Sequence, residues 1–229
     1  MENKRIRIFT GNFGSGKSEI AINFALQKAE AGFAVSLVDL DIVNPYFRSR
    51  QLRHLLAERG VTTVVPREEW LEADLPIITP AICKVFQDES QYVIFDVGGD
   101  EIGATVLGTF KPQFVQQGFE LLMVVNPYRP LTGNVADIAA MRQEIERAAR
   151  LAITGLVSNP HLGTATEART IWEGHRIVEE AARATGLPIE FLTVARELLS
   201  KCAAYSFACP VLPIDLYLQP DWLRDDEGV

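Results

Sequence analysis

Positive charge is scarce in this 229-residue sequence: 22 Lys and Arg stand against 30 Asp and Glu, a formal net charge of −8. That balance argues against a nucleic-acid surface spread over the whole molecule, because such surfaces gather Lys and Arg against phosphate. A local basic patch stays open. No apolar run approaches the roughly 18 residues needed to cross a bilayer, and Met1-Glu2-Asn3-Lys4-Arg5 is followed by no signal-peptide core. The expectation is a cytoplasmic chain without a membrane partner. Cysteine is rare as well: Cys83, Cys202 and Cys209 form no CxxC pair. Buried thiols in a reducing compartment are the plain reading, and a metal site shared between subunits lacks the ligand spacing that would recommend it. Linkers, low-complexity stretches and repeats are missing too, so 1–229 reads as one domain. Its last residues, 219–229, carry four acidic side chains and are expected to fray.

Hydrophobic residues make up 48% of the chain and charged ones 23%, the balance of a globular protein with a substantial core. Short apolar, β-branched runs alternate with longer amphipathic ones. Residues 6–10, 35–38, 61–65, 92–95, 121–125, 153–157, 188–194 and 211–216 read as strands. Helices are predicted over 17–31, 46–58, 81–87, from 133 or 134 to about 150 with Thr132 as cap, and from about 166 to 184. Runs such as Leu121-Leu122-Met123-Val124-Val125 are apolar almost throughout, as strands are when helices cover both faces. The predicted fold class is α/β: three layers, a doubly wound and mainly parallel sheet with helices on both faces.

Gly11-Asn12-Phe13-Gly14-Ser15-Gly16-Lys17-Ser18 matches G-x-x-x-x-G-K-[ST] between an apolar strand and an amphipathic helix. Backbone N–H groups of such a turn form an anion nest, and the following helix adds the positive end of its dipole. Gly14 and Gly16 permit close approach that a Cβ would obstruct. Lys17 is expected to reach the β- and γ-phosphates of a nucleotide, and the Ser18 hydroxyl to ligate Mg²⁺.

Acids follow at the ends of neighbouring strands, where open α/β sheets gather their ligands. Asp39 and Asp41 lie two residues apart on an extended chain, so both side chains share one face. One can hold a magnesium-bound water and the other the attacking water or the metal shell. Asp96 closes the run Tyr92-Val93-Ile94-Phe95 as in a Walker B strand, acting on Mg²⁺ through water. Gly99 completes D-x-x-G, where a bare N–H can touch a γ-phosphate and swing when it leaves.

With these pieces assembled, the chain resembles the MinD/ParA/Mrp branch of P-loop NTPases, within the class that includes signal-recognition GTPases. The resemblance rests on residues 11–18, on Val38-Asp39-Leu40-Asp41-Ile42-Val43-Asn44-Pro45 and on Ile94-Phe95-Asp96-Val97-Gly98-Gly99. It implies that Asp41 positions the hydrolytic water and that Asn159, ending a late strand, reads adenine. No N/T-K-x-D guanine signature occurs, which favours ATP over GTP. In three respects the chain departs from that branch. Asn12 stands where a signature Lys would reach a partner subunit's nucleotide; the CxxC of cluster carriers is missing; and 216–229, acidic and broken by Pro220, has no basic amphipathic helix for membranes.

Arg48, Arg50 and Arg53 follow the D-x-D acids and can meet phosphate or a partner; solvated charges on a helix face are the plainer account. Asn126-Pro127-Tyr128-Arg129-Pro130 reads equally as a rigid turn or as a wall of the base pocket. His54, His161 and His175 read as structural or surface residues, His161 least so because it follows Asn159-Pro160. Three functions fit: a slow Mg-ATP switch that loads, activates or releases a protein partner, with a homodimer among its forms; a small-molecule kinase; or a non-hydrolysing regulator. The first is the best supported by the D-x-D and D-x-x-G elements.

Overall fold

A computed structural model describes residues 4–40, 50–65, 80–98 and 101–218. Among them, eight strands form one sheet in the order β3-β2-β4-β1-β5-β6-β7-β8. The strands are β1 (Ile6–Thr10), β2 (Val35–Leu40), β3 (Val61–Val64), β4 (Tyr92–Val97), β5 (Glu120–Val125), β6 (Gly155–Ser158), β7 (Ile189–Ala195) and β8 (Val211–Ile214). Every pairing among the described residues is parallel, in keeping with the mainly parallel sheet expected. The helices are α1 (Lys17–Glu30), α2 (Arg50–Glu58), α3 (Pro80–Gln87), α4 (Glu101–Thr109), α5 (Lys111–Gln117), α6 (Val135–Ala149), α7 (Ala168–Thr185) and α8 (Leu199–Cys202).

The two faces of the sheet carry separate cores. Ile6, Ile8, Val93, Phe95, Leu121 and Met123 pack with residues of α3 to α7, while Phe9, Tyr92, Ile94, Leu122 and Val124 pack with α1 and α2. Strand residues thus alternate between two buried layers, which is why β2, β4 and most of β5 are buried without interruption. The three-layer, doubly wound architecture expected from the alternation is the observed one.

Several boundaries move. The sequence predicts no element over 101–117, yet α4 and α5 lie there. Gly103, Gly108 and Pro112 read as breakers in isolation; Pro112 instead occupies the first turn of α5, where its missing N–H costs nothing. At Gly108 a side chain would meet the Ala148 and Ala149 carbonyls of α6 at 3.5 and 3.4 Å, so glycine lets α4 lie close to α6. The cap of α6 is Asn134, whose Oδ1 accepts the Asp137 N–H at 3.0 Å. Thr132 is not that cap: its hydroxyl donates inward to the Asn126 carbonyl at 2.7 Å. The helix expected from 166 begins at Ala168, capped by Glu167 and Thr170, and closes at Gly186 in the left-handed conformation. Of the helix predicted over 46–58, residues 46–49 lie outside the described residues.

Candidate functional site

β1 is central, and the chain leaves it toward α1 through the turn at residues 11–16. From there the connections run to β2 and β3 on one side and to β5 through β8 on the other. A crevice for ligands opens at such a reversal of strand order, outside the carboxyl ends of the strands. The turn depends on its glycines: φ is +143° at Gly11, +71° at Gly14 and +90° at Gly16, values that side chains rarely adopt. A Cβ on Gly11 would strike the Val124 carbonyl, and one on Gly16 the Asn159 carboxamide. No side chain caps the N-terminus of α1. The positive end of its dipole faces the turn, as at helix ends that receive anions. Lys17 and Ser18 begin that helix and are each only 5% exposed.

Two carboxylates lie opposite one another near the ends of β2 and β4, the latter next to β1. Asp39 and Asp96 are register partners on β2 and β4, and both are buried. Neighbouring strands lie about 5 Å apart, so two like charges here favour a cation between them. With the Ser18 hydroxyl they make a hard-oxygen set suited to magnesium, which keeps several waters and takes phosphate oxygens besides one or two carboxylates. Among the described residues no cluster of three or more His, Cys, Asp or Glu forms an all-protein metal cage.

The cradle is gripped by the loops that follow β5 and β6. Asn159 donates from Nδ2 to the Ser15 carbonyl at 2.6 Å and accepts from the Thr193 hydroxyl at 2.5 Å. Arg129 donates from Nε to the Gly14 carbonyl at 3.0 Å. Asn12 reaches back from the P-loop, Nδ2 to the Pro130 carbonyl at 2.6 Å, while its Oδ1 accepts the Phe13 N–H at 2.7 Å. Asn126, fully buried, joins the two loops by donating to the His161 carbonyl at 3.0 Å and accepting the Tyr128 and His161 N–H groups. The His161 ring accepts the Gly163 N–H at Nδ1 (3.3 Å) and hydrogen-bonds the Gly14 backbone. Burial, and then the nearby Arg129 cation, hold its pKa below the ordinary histidine value, which the Gly14 bond partly offsets. Gly174 of α7 makes room for the pair of loops, since a side chain there would run into Pro160, Pro127 and Tyr128.

From the cradle a cavity of about 540 Å³ runs under these loops to a mostly apolar wall of Ile171, Leu198, Ile214, Leu216 and Leu218. Residues 215–218, past β8, are fastened to α1. Asn23 exchanges bonds with the Asp215 N–H and carbonyl, both at 2.8 Å, and Glu19 accepts the Tyr217 and Leu218 N–H groups at 2.6 and 3.1 Å. A larger cleft of about 700 Å³ opens between α4 and α6, remote from the cradle residues.

Lys17, Ser18 and Asn159 therefore converge on one cavity, with Asp39 and Asp96 at the ends of adjoining strands. Asp41, Gly99 and Arg48 lie outside the described residues, as does the side chain of Arg50. Arg53 is exposed on α2, and His54 pairs with Glu58 on the same helix at 3.4 Å. Arg129, from the segment read as a rigid turn or a pocket wall, and His161 line the same cavity, while Thr193 and the Glu19–Asn23 fastening are contributions that no local motif announces.

No protein-family model matches this sequence, and no curated protein does. Solved structures do. The chain is similar to FtsY from Mycoplasma mycoides, with 18% identity over 85% of this chain and 62% of that one and a TM-score of 0.57. FtsY of Thermotoga maritima, titled a cell division protein, gives 19% identity over 83% and 62%, with a TM-score of 0.56. The signal recognition particle receptor FtsY of Elizabethkingia anophelis gives 16% over 87% and 61%, with a TM-score of 0.58. The chain spans about three fifths of the length of these structures. At such identities the likeness establishes the fold, that of a P-loop NTPase. Among the described residues no helix is long and apolar enough to cross a membrane.

Proposed function

We propose that the protein is a magnesium-dependent ATPase switch, a single nucleotide-binding domain that hydrolyses ATP slowly and uses the change of nucleotide to regulate, load or release a protein partner. One observation carries the reading: a glycine cradle and an uncapped helix N-terminus, with Lys17, open into the same cavity as an apolar wall of base-pocket size. Chemistry of that kind suits a ligand with a polyphosphate at one end and a flat heteroaromatic ring at the other.

In this reading the N–H groups of residues 14–18 receive the β-phosphate, and Lys17 neutralises charge that builds toward the γ-phosphate. Ser18, Asp39 and Asp96 hold the magnesium, which when bound supplies charge neutralisation across the β- and γ-oxygens. Asp41 positions the attacking water, as the family resemblance implies. Gly99 follows the presence of the γ-phosphate. Asn159 Oδ1 takes one bond from Thr193 and keeps a lone pair for an exocyclic amine, which suits adenine. The ATP preference rests on that acceptor and on the lack of an N/T-K-x-D segment. The similarity to receptor structures of the signal-recognition system supports a protein partner as the object of the switch.

Titration with ATP and GTP in the presence of Mg²⁺, together with release of inorganic phosphate, tests the reading. ATP should bind more tightly than GTP, phosphate should appear slowly, and Asp41→Ala should abolish release while keeping binding. The same variant, loaded with ATP, should retain the partner on affinity purification. Failure to bind any nucleoside triphosphate would overturn the proposal; phosphate on a small-molecule acceptor in place of free phosphate would make the protein a kinase.

A further inference from the structure

The nucleotide site described above contains a second cation that no phosphate-binding motif assigns. We propose that Arg129 contacts the γ-phosphate end of the bound triphosphate from within the same chain, and that Asn12 is the positioning residue that holds it there. The inference rests on the triphosphate-binding reading and adds to it a determinant of triphosphate over diphosphate.

Arg129 is anchored on both sides. Its own N–H bonds to the carbonyl of the buried Asn126 at 3.1 Å, and the carbonyl of the next residue, Pro130, accepts from Asn12 at 2.6 Å. Proline fixes φ at that second anchor, so the chain on either side of Arg129 has little freedom. The guanidinium lies against the P-loop. Nε takes the Gly14 carbonyl at 3.0 Å, and Cζ and Nη2 lie 3.1 and 3.5 Å from where a Gly14 side chain would start. Glycine at 14 is thus what lets a guanidinium come so close to the phosphate nest.

One of its five donors is used by that carbonyl. Among the described residues the terminal nitrogens make no hydrogen bond and Arg129 makes no ion pair. Five other arginines are matched to acids: Arg7 to Glu120, Arg59 to Glu30, Arg142 to Glu146, Arg169 to Glu173 and Arg196 to Asp215. Lys17 and Arg129 are the two Lys or Arg side chains lining the cavity. Lys17 comes from the helix side of the turn and Arg129 from the Gly14 side, so a phosphate seated between them would be met from two directions. A planar fork suits that role, since it can bridge two oxygens of one phosphate. Burial, and then Arg129 itself, lower the pKa of His161, beside it on the Gly14 backbone. With Asn12 tied to Pro130 inside one chain, this cation requires no second subunit.

Affinities for Mg-ATP and Mg-ADP decide the matter, measured by calorimetry on the full chain and on Arg129→Gln, Arg129→Lys and Asn12→Ala. Arg129→Gln keeps a donor for Gly14 but removes the charge. It should weaken ATP roughly 10- to 100-fold, the value of a charge-assisted contact, and ADP by less than about threefold. Arg129→Lys should recover much of the ATP affinity. Asn12→Ala should show a smaller, ATP-selective loss, with no further loss when combined with Arg129→Gln. Equal weakening of ATP and ADP would make Arg129 a mere fastener of the loop, and an Arg129→Gln protein that binds both like the parent would remove it from the site; either overturns the inference while the parent protein still binds nucleotide. A parent that binds neither nucleotide would bring down the underlying reading with it. The ratio of the two affinities is taken within each variant, so a general change in stability does not enter.

Discussion

The two rims of the sheet use arginine in opposite ways. At the amino rim, before β1, Arg5 donates to the carbonyls of Val85, Phe86, Asp88 and Gln91 and to the Gln117 side chain. Its neighbour on the strand, Arg7, is ion-paired with Glu120 and lies 4.5 Å from the centre of the Phe24 ring. Lys28 stands over Phe24 and Tyr92 close by, at 5.3 and 4.9 Å. At the carboxyl rim Arg129 uses one donor on Gly14 and makes no ion pair among the described residues. Cations whose donors are filled by the protein hold strands and helices together. A cation fixed in place with donors left over beside an anion nest is prepared for a ligand. Substitutions at the two rims should therefore fail differently, the amino rim in stability and the carboxyl rim in binding.

The largest expected effect breaks the carboxyl rim. In Gly16→Ala, the new Cβ must displace the Asn159 carboxamide from a backbone position at φ +90°. Strain and a lost hydrogen bond together amount to on the order of 3 kcal/mol, about 100-fold in nucleotide affinity. Calorimetry with Mg-ATP reads it; an affinity within threefold of the parent would show that the cradle is not where nucleotide sits. Arg7→Ala tests the other rim. Removing Arg7 from this largely buried ion pair leaves Glu120 with only the nearby Lys28, at a cost of about 2 kcal/mol in unfolding free energy. Denaturant melts should show that loss, while ATP affinity of the folded protein stays unchanged. A variant of Arg7 that lost nucleotide affinity without losing stability would contradict the division between the rims. Smaller again is Asn159→Ala, which leaves the Ser15 carbonyl and Thr193 hydroxyl without their shared partner. An unmade buried bond is worth about 2 kcal/mol, and here both stability and affinity should register part of it.

What the sequence disclosed follows the range over which each signal acts. The P-loop was readable because its chemistry is packed into eight consecutive residues with fixed spacing, and the sheet because two buried faces leave continuous apolar strands. Asp39 and Asp96 were found singly, each at a strand end; that they face one another depends on β4 inserting between β2 and β1. The grip on Gly14 and Ser15 was not readable. Arg129, His161 and Asn159 reach the P-loop because β5 and β6 follow β1 in the sheet, a consequence of topology that no local spacing encodes. Helices α4 and α5 were missed for the converse reason: Gly103 and Gly108 look like breakers until the packing partners are known. At Gly103 a Cβ would press on the Gly98 backbone, just past the Asp96 strand.

The smallest expected effect concerns a histidine that belongs to neither rim. His175 of α7 is 2% exposed, with Nδ1 2.9 Å from the Ser158 hydroxyl and the Phe207 ring edge-on at 5.3 Å. Its Nε2 faces the Glu179 carboxylate at 3.5 Å and the Cys209 thiol at 3.9 Å. Burial lowers its pKa, and the partly exposed Glu179 offsets this only in part, so the folded state favours the neutral ring. The sign follows: the unfolded ring binds its proton near the ordinary value of about 6.5 and the folded ring only at lower pH. The stability contributed by the neutral ring is then complete above that value and is lost as the pH falls through the depressed folded pKa. His175→Asn removes the titration and keeps a polar side chain near Ser158. Melting temperatures between neutral and mildly acidic pH should fall less steeply in the variant than in the parent, whatever the variant's stability at neutral pH. Parallel curves would mean that Glu179 compensates burial fully, and the acid sensitivity would then belong to other groups, with His161 at the carboxyl rim the first to examine.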